Sequence, residues 1–214
     1  MKDSAHYSSD VAFTPSVKAQ QRLKGSRGVY ERMEQAGSWA TVIPPELKSF
    51  VEAQTSIFLA TANSTGQPYI QHRGGPAGFL RVLDESTLGF ADFAGNRQYI
   101  SIGNLADNPK VCLFLIDYAT RHRVKIWGEA RVVDNDAELT ARLKPENYKA
   151  RAERAILISV MAWDVNCRQH IPQRLESKDV AAALAERDQR IAVLEAELAQ
   201  LRGAADAKKS EPTL

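Results

Sequence analysis

The stretch Lys110–Val133, KVCLFLIDYATRHRVKIWGEARVV, decides the fold of this chain. Its first part, Lys110–Tyr118, is apolar and rich in residues that favour strands. Its second part, Arg123–Val133, places Val124 and Ile126 on one face by strict alternation. Such alternation is typical of a strand with one buried side. The stretch therefore predicts two long strands in one sheet.

Strand patterns recur on both sides of this pair. They are Ser56–Ala62, Pro68–Arg73, Phe79–Leu83, Thr87–Ala91 and Ala155–Ala162. Between these strands, helical spacing occurs over Gly95–Asp107 and in a short segment near Ala137–Leu143. Because turns rather than regular helices join the strands, a doubly wound parallel sheet is disfavoured. We predict a mainly β fold with α, in which about six antiparallel strands and one inserted helix form a small barrel or, alternatively, a sandwich.

Helices are predicted to flank the strands on the N-terminal side. Pro15 is expected to begin a helix that Gly25 and Gly28 interrupt. The run Pro44-Pro45-Glu46 is a good helix start, because proline fits the first turn and an acid there faces the positive end of the helix dipole.

A heptad repeat follows the predicted sheet over residues 176–202. Its core positions follow one another at alternating spacings of four and three: Val180, Leu184, Arg187, Ile191, Leu194, Leu198 and Leu201. Gly203 is expected to end this helix, and 203–214 to form a disordered tail. The helix forms a parallel coiled coil across a dimer or, alternatively, packs its apolar stripe on its own barrel. The predicted organisation is one domain over 1–175, the heptad helix and the tail.

Composition excludes several classes of protein. The 214 residues carry a formal net charge of +2, without the concentrated basic face that nucleic-acid binders show. Cys112 and Cys167 are too few for a disulfide framework, and the four histidines are dispersed, so no metal site is predicted. No segment has the pattern of a signal peptide or the apolar length that spans a bilayer. A cytoplasmic protein without nucleic-acid or membrane partners is expected.

Two stretches carry residues suited to an anion. Gln71-His72-Arg73-Gly74-Gly75-Pro76 ends a strand with an arginine, whose planar fork matches phosphate oxygens, and with glycines that let backbone N–H groups approach closely. Asp92-Phe93-Ala94-Gly95-Asn96-Arg97 is expected to open a helix that contains Ser101 and Asn104. A helix start next to an arginine favours anions. The competing interpretations are a surface arginine before a turn and ordinary helix capping.

In their order and spacing these residues resemble the FMN-binding split barrels, and most closely the group related to pyridoxamine 5′-phosphate oxidase. The similarity covers roughly residues 10–175 and includes Phe58–Ala62, Gly66-Gln67-Pro68, Asn108-Pro109 and Trp127–Ala130 beside the two stretches above. The resemblance implies a six-stranded antiparallel split barrel and a homodimer with two FMN sites at its interface.

The resemblance also implies cofactor-binding residues. By position, Arg73 would hold the FMN phosphate, with Gly74 and Gly75 near the flavin. Asp92 and Asn96 would lie near the ring or the ribityl chain. Further contributions are implied for Arg97 and Ser101 at the phosphate, and for Trp163, Gln173 and Arg174 from the partner chain. No catalytic acid or base is identified.

The chain departs from the oxidase itself in three places. Arg168-Gln169-His170 fits that enzyme's Arg-x-His pattern, but Ile171-Pro172 follows where an acid and an arginine are expected. No lysine lies near Arg73, and the chain continues into the heptad helix. The resemblance therefore implies an FMN-dependent oxidoreductase, with a small-molecule substrate or a nicotinamide as electron donor, more than pyridoxal phosphate synthesis. The alternative is a non-catalytic barrel that holds flavin, deazaflavin or haem.

Overall fold

The computed structural model describes residues 6–209, in two compact units. The first unit comprises the residues up to Asp117 together with Arg121–Ile171, and the second comprises Tyr118–Thr120 and the residues from Pro172 onward. The first unit contains the sheet, and its C-terminal limit lies a few residues before the predicted boundary at 175.

Short helices precede the sheet in the first unit. A 3₁₀ turn, Ser8–Val11, is followed by α1 (Pro15–Leu23), α2 (Arg27–Gln35) and α3 (Pro45–Ala53). The helix starts at Pro15 and Pro45 agree with the sequence prediction. Gly28 does not interrupt a helix, because α2 begins at Arg27 and so places this glycine in the first turn, where backbone N–H groups need no intrahelical partner.

Seven strands form one antiparallel sheet. They are β1 (Ser56–Ala62), β2 (Pro68–Gly74), β3 (Leu80–Asp84), β4 (Thr87–Phe93), β5 (Lys110–Asp117), β6 (His122–Val133) and β7 (Ala152–Val165). Their order across the sheet is β2-β1-β5-β6-β7-β4-β3. Each of the seven segments that the sequence analysis named forms a strand, so the predicted total of about six was one strand too low. Two helices are inserted, α4 (Ile100–Asp107) and α5 (Ala137–Leu143).

The core fills the inside of the curved sheet. Alternation buries every second residue of β1 and β5, so that Ile57, Leu59, Leu113 and Leu115 are fully inside. Cys112 belongs to the other face of β5 and is half-buried there, not enclosed in the core as a small apolar residue would be.

The second unit is dominated by α6 (Ser177–Lys209), a single helix of 33 residues. The prediction that Gly203 ends this helix was wrong. A glycine in a helix interior costs about 1 kcal/mol, and the alanines at 204 and 205 have the highest helix propensity. Residues 210–214 of the predicted tail lie outside the described residues.

Among residues 6–209, no helix combines the length and the apolar character that crossing a bilayer requires. Over the same range, His, Cys, Asp and Glu side chains form no group of three or more that could hold a metal ion.

Candidate functional site

An ion pair bridges two strands that share no backbone ladder. Arg73 at the end of β2 bonds through Nη1 to the Asp92 carboxylate on β4, and the two side chains are only 14% and 8% exposed. β2 is one edge of the sheet, and β4 lies next to the opposite edge. The sheet must therefore curl until β2 faces β4. We call the gap between these two strands the seam.

A cavity of about 260 Å³ lies at the seam. Its walls come from one face of β2, from the end of β4 and the loop that follows it, from the first turn of α4, and from one residue of β7. The lining residues are Tyr69, Gln71, Arg73, Asp92, Phe93, Gly95, Asn96, Arg97, Gln98, Tyr99, Ile100, Ser101, Ile102 and Glu153.

Helix α4 is fixed across the seam by two buried side chains. Ser101 Oγ donates to Gln71 Oε1 on β2 at 2.7 Å, and Asn104 Nδ2 donates to Thr61 Oγ1 on β1 at 2.9 Å. The N-cap residue, Tyr99, makes no side-chain capping hydrogen bond. The first N–H groups of α4, which have no partner within the helix, thus remain available to a ligand.

The loop before α4 has an uncommon backbone. Arg97 and Tyr99 have φ of 59° and 53°, in the left-handed region that costs a non-glycine residue of order 1 kcal/mol or more. Neither residue can belong to α4 in this conformation, so the helix begins at Ile100 and not at the predicted Gly95. Arg97 was expected to open the helix that contains Ser101 and Asn104, but it reaches the cavity from the loop before that helix.

Two arginines offer unused hydrogen-bonding capacity at the seam. The Arg73 Nε is buried and has no hydrogen-bond partner, although Nη1 bonds to Asp92. The exposed Arg97 forms no ion pair with any residue between 6 and 209. An anion that enters the cavity would satisfy both groups, because a guanidinium donates several N–H bonds in a fixed plane.

Asp92 is the buried counter-ion of this cluster. Its Oδ2 also lies 3.8 Å from Nε of Arg154, the residue opposite it on β7. Burial raises the pKa of Asp92 above its ordinary value, and the charges of Arg73 and Arg154 oppose that rise without cancelling it. The carboxylate thus orients the Arg73 guanidinium while partly neutralising it.

Half of the residues that the resemblance implied line this one cavity. Arg73, Asp92, Asn96, Arg97 and Ser101 come from three separate elements and meet there. Gly74 and Gly75 do not line it. A Cβ on Gly75 would approach Phe79 Cβ to 2.7 Å, and the Gly75 N–H already donates to the Thr55 carbonyl at 3.1 Å. These glycines serve the packing of the turn after β2.

The other implied residues lie elsewhere. Trp163 on β7 donates its indole N–H to the Val42 carbonyl at 2.9 Å and so binds the segment before α3. In the second unit, Gln173 donates to the Ala119 carbonyl at 2.9 Å, and the Arg174 guanidinium lies 4.6 Å from the ring centre of Tyr118.

Two residues of the site, Arg154 and Gln71, had no role predicted from the sequence. The Arg154 guanidinium lies 5.4 Å from the ring centre of Tyr99, and its Nε lies 3.8 Å from Asp92 Oδ2. Gln71 positions Ser101. The only available signal was a charged residue directly before the buried run that begins at Ala155, since a charge at the edge of an apolar strand needs a partner.

A second cavity, of about 770 Å³, lies between the N-terminal segment and the outer face of β1 and β5. Its lining is mostly apolar and includes Val11, Cys112, Trp127 and Met161. It contains Lys110 and Asp10 but neither an arginine nor a free helix start, and so fits a phosphate group less well than the seam does.

A known protein family matches most of this chain. The pyridoxamine 5′-phosphate oxidase family matches residues 43–203. A search of curated proteins finds no match. Similar solved structures include HupZ of Group A Streptococcus (19% identity, TM-score 0.48, 62% of this chain and 99% of that chain). They also include a putative pyridoxamine 5′-phosphate oxidase of Lactobacillus delbrueckii (18%, 0.46, 58% and 95%) and an FMN-binding protein of Syntrophomonas wolfei (12%, 0.46, 68% and 97%).

The family match spans three quarters of the chain and contains all seven strands, both sides of the seam and the start of α4. The chain belongs to the pyridoxamine 5′-phosphate oxidase family.

Proposed function

We propose that this protein binds FMN with its phosphate in the seam cavity and acts as a flavin-dependent oxidoreductase. The observation that carries the proposal is the conjunction of an uncapped helix start, the unpaired Arg97 and the buried, unsatisfied Arg73 Nε around one cavity. Each of these groups favours a dianion such as a phosphate monoester. Bound FMN would supply hydride transfer, and the electrons would come from a small-molecule substrate or a reduced nicotinamide.

The residues of the seam fit the polar end of such a ligand. Arg73 is held in place by Asp92, so little side-chain entropy is lost when it binds an anion. Asn96 adds a side-chain amide at the same wall. The lining contains no histidine, cysteine or methionine, the side chains that ligate haem iron most often. A flavin or deazaflavin phosphate therefore fits this cavity better than haem.

We further propose a homodimer. The seam cavity, at about 260 Å³, is below the roughly 300–1,000 Å³ of cavities that enclose a whole ligand. It has room for the phosphate end of FMN, and the ring needs another wall. The outer face of the sheet carries partly exposed aromatic side chains, among them Phe58 and Phe114, with Ile70 65% exposed. A second copy of this chain would supply that wall, and a contact between copies on the outer face of the sheet would cover these apolar side chains.

The absorption spectrum of the purified protein tests the proposal directly. We expect a flavin spectrum, release of FMN on denaturation, and bleaching of the bound flavin by a substrate or by a reduced nicotinamide under anaerobic conditions. A haem or deazaflavin spectrum would assign the cavity to another cofactor, and a colourless protein that does not take up added FMN would refute flavin binding. A flavin that no donor reduces would leave a binding protein without the oxidoreductase activity.

The phosphate site is tested by Arg97→Gln with a matched control. Losing a charged hydrogen bond to phosphate should weaken FMN binding roughly tenfold. Arg121→Gln is the control, because Arg121 is also exposed and also has a positive φ, of 54°, but does not line the cavity. Equal effects of the two substitutions on the dissociation constant, measured by flavin fluorescence, would show that Arg97 acts only through overall charge.

A further inference from the structure

The long helix α6 carries an apolar stripe that remains open in the single chain. Six of the seven heptad core positions are apolar, and their side chains are between 40% and 67% exposed: Val180, Leu184, Ile191, Leu194, Leu198 and Leu201. They follow one another along 33 helical residues, a length of about 50 Å. An apolar stripe stabilises a helix only when it is buried, and burial requires a second surface that packs against it.

We propose that α6 pairs with α6 of a second copy of this chain as a parallel, two-stranded coiled coil. In the central heptad, Ile191 at position a with Leu194 at position d is the combination that favours two strands, and the other two a positions, 184 and 198, are leucines. Arg187, also at position d, can extend its guanidinium out of the interface between two helices into water, whereas a bundle of more helices would enclose it.

Charge fixes the orientation of the pair. In a parallel pair the g position of one helix faces the following e position of the other. Arg190 then lies opposite the partner's Glu195, and Glu197 lies opposite the partner's Arg202, so that two-fold symmetry gives four pairs of opposite sign. The proposal thus commits to a second copy of this chain, because the helix is complementary to itself.

The antiparallel alternative is less favourable. With Ile191 packed against the partner's Leu194, g positions face g positions and e positions face e positions. Arg190 would meet the partner's Glu197, but Asp188 would meet the partner's Glu195, and two attractive pairs would be offset by two repulsive ones. Each exposed pair contributes little, so the charges select the orientation while the apolar stripe supplies the stability.

Disulfide trapping in the full-length protein tests the pairing. The background is Cys167→Ser, because Cys167 is exposed, and this background alone sets the baseline. Leu194→Cys places a thiol in the proposed interface, and Ala196→Cys, at position f of the same turn, places one on the opposite side. Under mild oxidation we expect about tenfold more covalent dimer from Leu194→Cys than from Ala196→Cys, because only the interface position has a high effective concentration of its equivalent.

A charge swap separates pairing from simple proximity. Adding Arg190→Glu to Leu194→Cys sets glutamates at 190 against the partner's Glu195, and the dimer yield should fall roughly fivefold. Adding Glu195→Arg as well restores opposite charges, and the yield should recover.

Three outcomes would overturn the proposal. Equal trapping of Leu194→Cys and Ala196→Cys would mean that the helices are near one another without a defined interface. No trapping above the baseline would mean that α6 does not pair with itself. Mixed Ile191→Cys and Leu194→Cys proteins that link only to each other would show an antiparallel pair. None of these readouts depends on bound flavin, so they stand apart from the test of the proposed function.

Discussion

Asp92→Asn should tighten FMN binding, although it removes a residue from the proposed site. In the wild-type protein the carboxylate occupies Nη1 of Arg73 and neutralises part of its charge. The amide keeps the shape and one acceptor oxygen but removes one negative charge from the cavity wall. A phosphate at Arg73 would then meet the full charge of the guanidinium.

The size of the effect follows from Coulomb's law. A phosphate bound on the far side of the Arg73 guanidinium lies about 6 Å from the carboxylate, where two unit charges interact by roughly 3 kcal/mol at an effective dielectric constant of about 20. Salt and the exposed mouth of the cavity reduce this value, so we expect a gain of about 1.5 kcal/mol, or roughly a tenfold lower dissociation constant. Riboflavin lacks the phosphate, and its affinity should change less than about twofold by the same reasoning.

The assay is paired titration of FMN and riboflavin by flavin fluorescence, with Asp164→Asn as control. Asp164 on β7 is also a partly buried carboxylate whose pKa is raised by burial, but it does not line the cavity. Asp164→Asn therefore makes the same change in net charge without changing the cavity wall. If Asp92→Asn weakens FMN, or shifts FMN and riboflavin equally, Asp92 contacts the ligand itself and the counter-ion argument is wrong.

The same substitution has a predicted effect on stability. The folded-state pKa of Asp92 is raised, so ionisation of this group favours the unfolded chain at neutral pH. Its contribution to stability is fully present below the unfolded pKa of about 3.9 and is lost as pH rises through the folded pKa. Asp92→Asn should therefore melt at a slightly higher temperature than wild type at pH 7, and the difference should disappear in acid.

Three further outcomes are expected. Arg73→Ala should weaken FMN binding about 30-fold or more, as measured by titration with FMN. Arg73→Lys should recover only part of that loss, because lysine lacks the bidentate guanidinium fork. Gly128→Ala should reduce the free energy of unfolding by about 1–3 kcal/mol, and the melting temperature by several degrees, because a Cβ there would overlap the Ser159 carbonyl oxygen. Gly95→Ala is the control and should leave both unchanged, because a Cβ at that position has no atom within 4 Å. If each flavin lies between two chains, sedimentation on dilution should show the apoprotein dissociating before the FMN-loaded protein, and a stable flavin-loaded monomer would contradict the interface placement.

The local elements could be predicted from sequence because local physics determines them. Alternation over Arg123–Val133 and the proline start at Pro45 each depend on a few neighbouring residues, and both elements form as expected. The start of α4 could not be predicted. The periodicity of Tyr99, Ile102 and Leu105 is helical, but the left-handed backbone at Arg97 and Tyr99 depends on how the loop crosses the seam. Sequence spacing carries no information about that crossing.

The partners within the site were harder to predict than its members. The resemblance placed Arg73 at the phosphate and Asp92 near the ring or the ribityl chain, yet in the fold the two side chains bind each other across 19 positions of sequence. Arg154 was overlooked because it becomes a neighbour of Asp92 only through the ladder between β4 and β7. Residue type thus identified candidate polar side chains on the strands, whereas the topology of the sheet determined which of these side chains contact one another.

The position of the site follows from the way the sheet fails to close. A barrel that joined β2 to β4 by a backbone ladder would use its edge N–H and carbonyl groups in that ladder and leave no cavity. Here the two strands are linked instead by Arg73 and Asp92, by the Ser101–Gln71 hydrogen bond and by α4, so the gap is lined with side chains and a free helix start. A ligand at the seam contacts both β2 and β4 at once, and its binding energy therefore also stabilises the curled sheet. The lack of a backbone ladder between β2 and β4 thus leaves room for an anion site at this place in the fold.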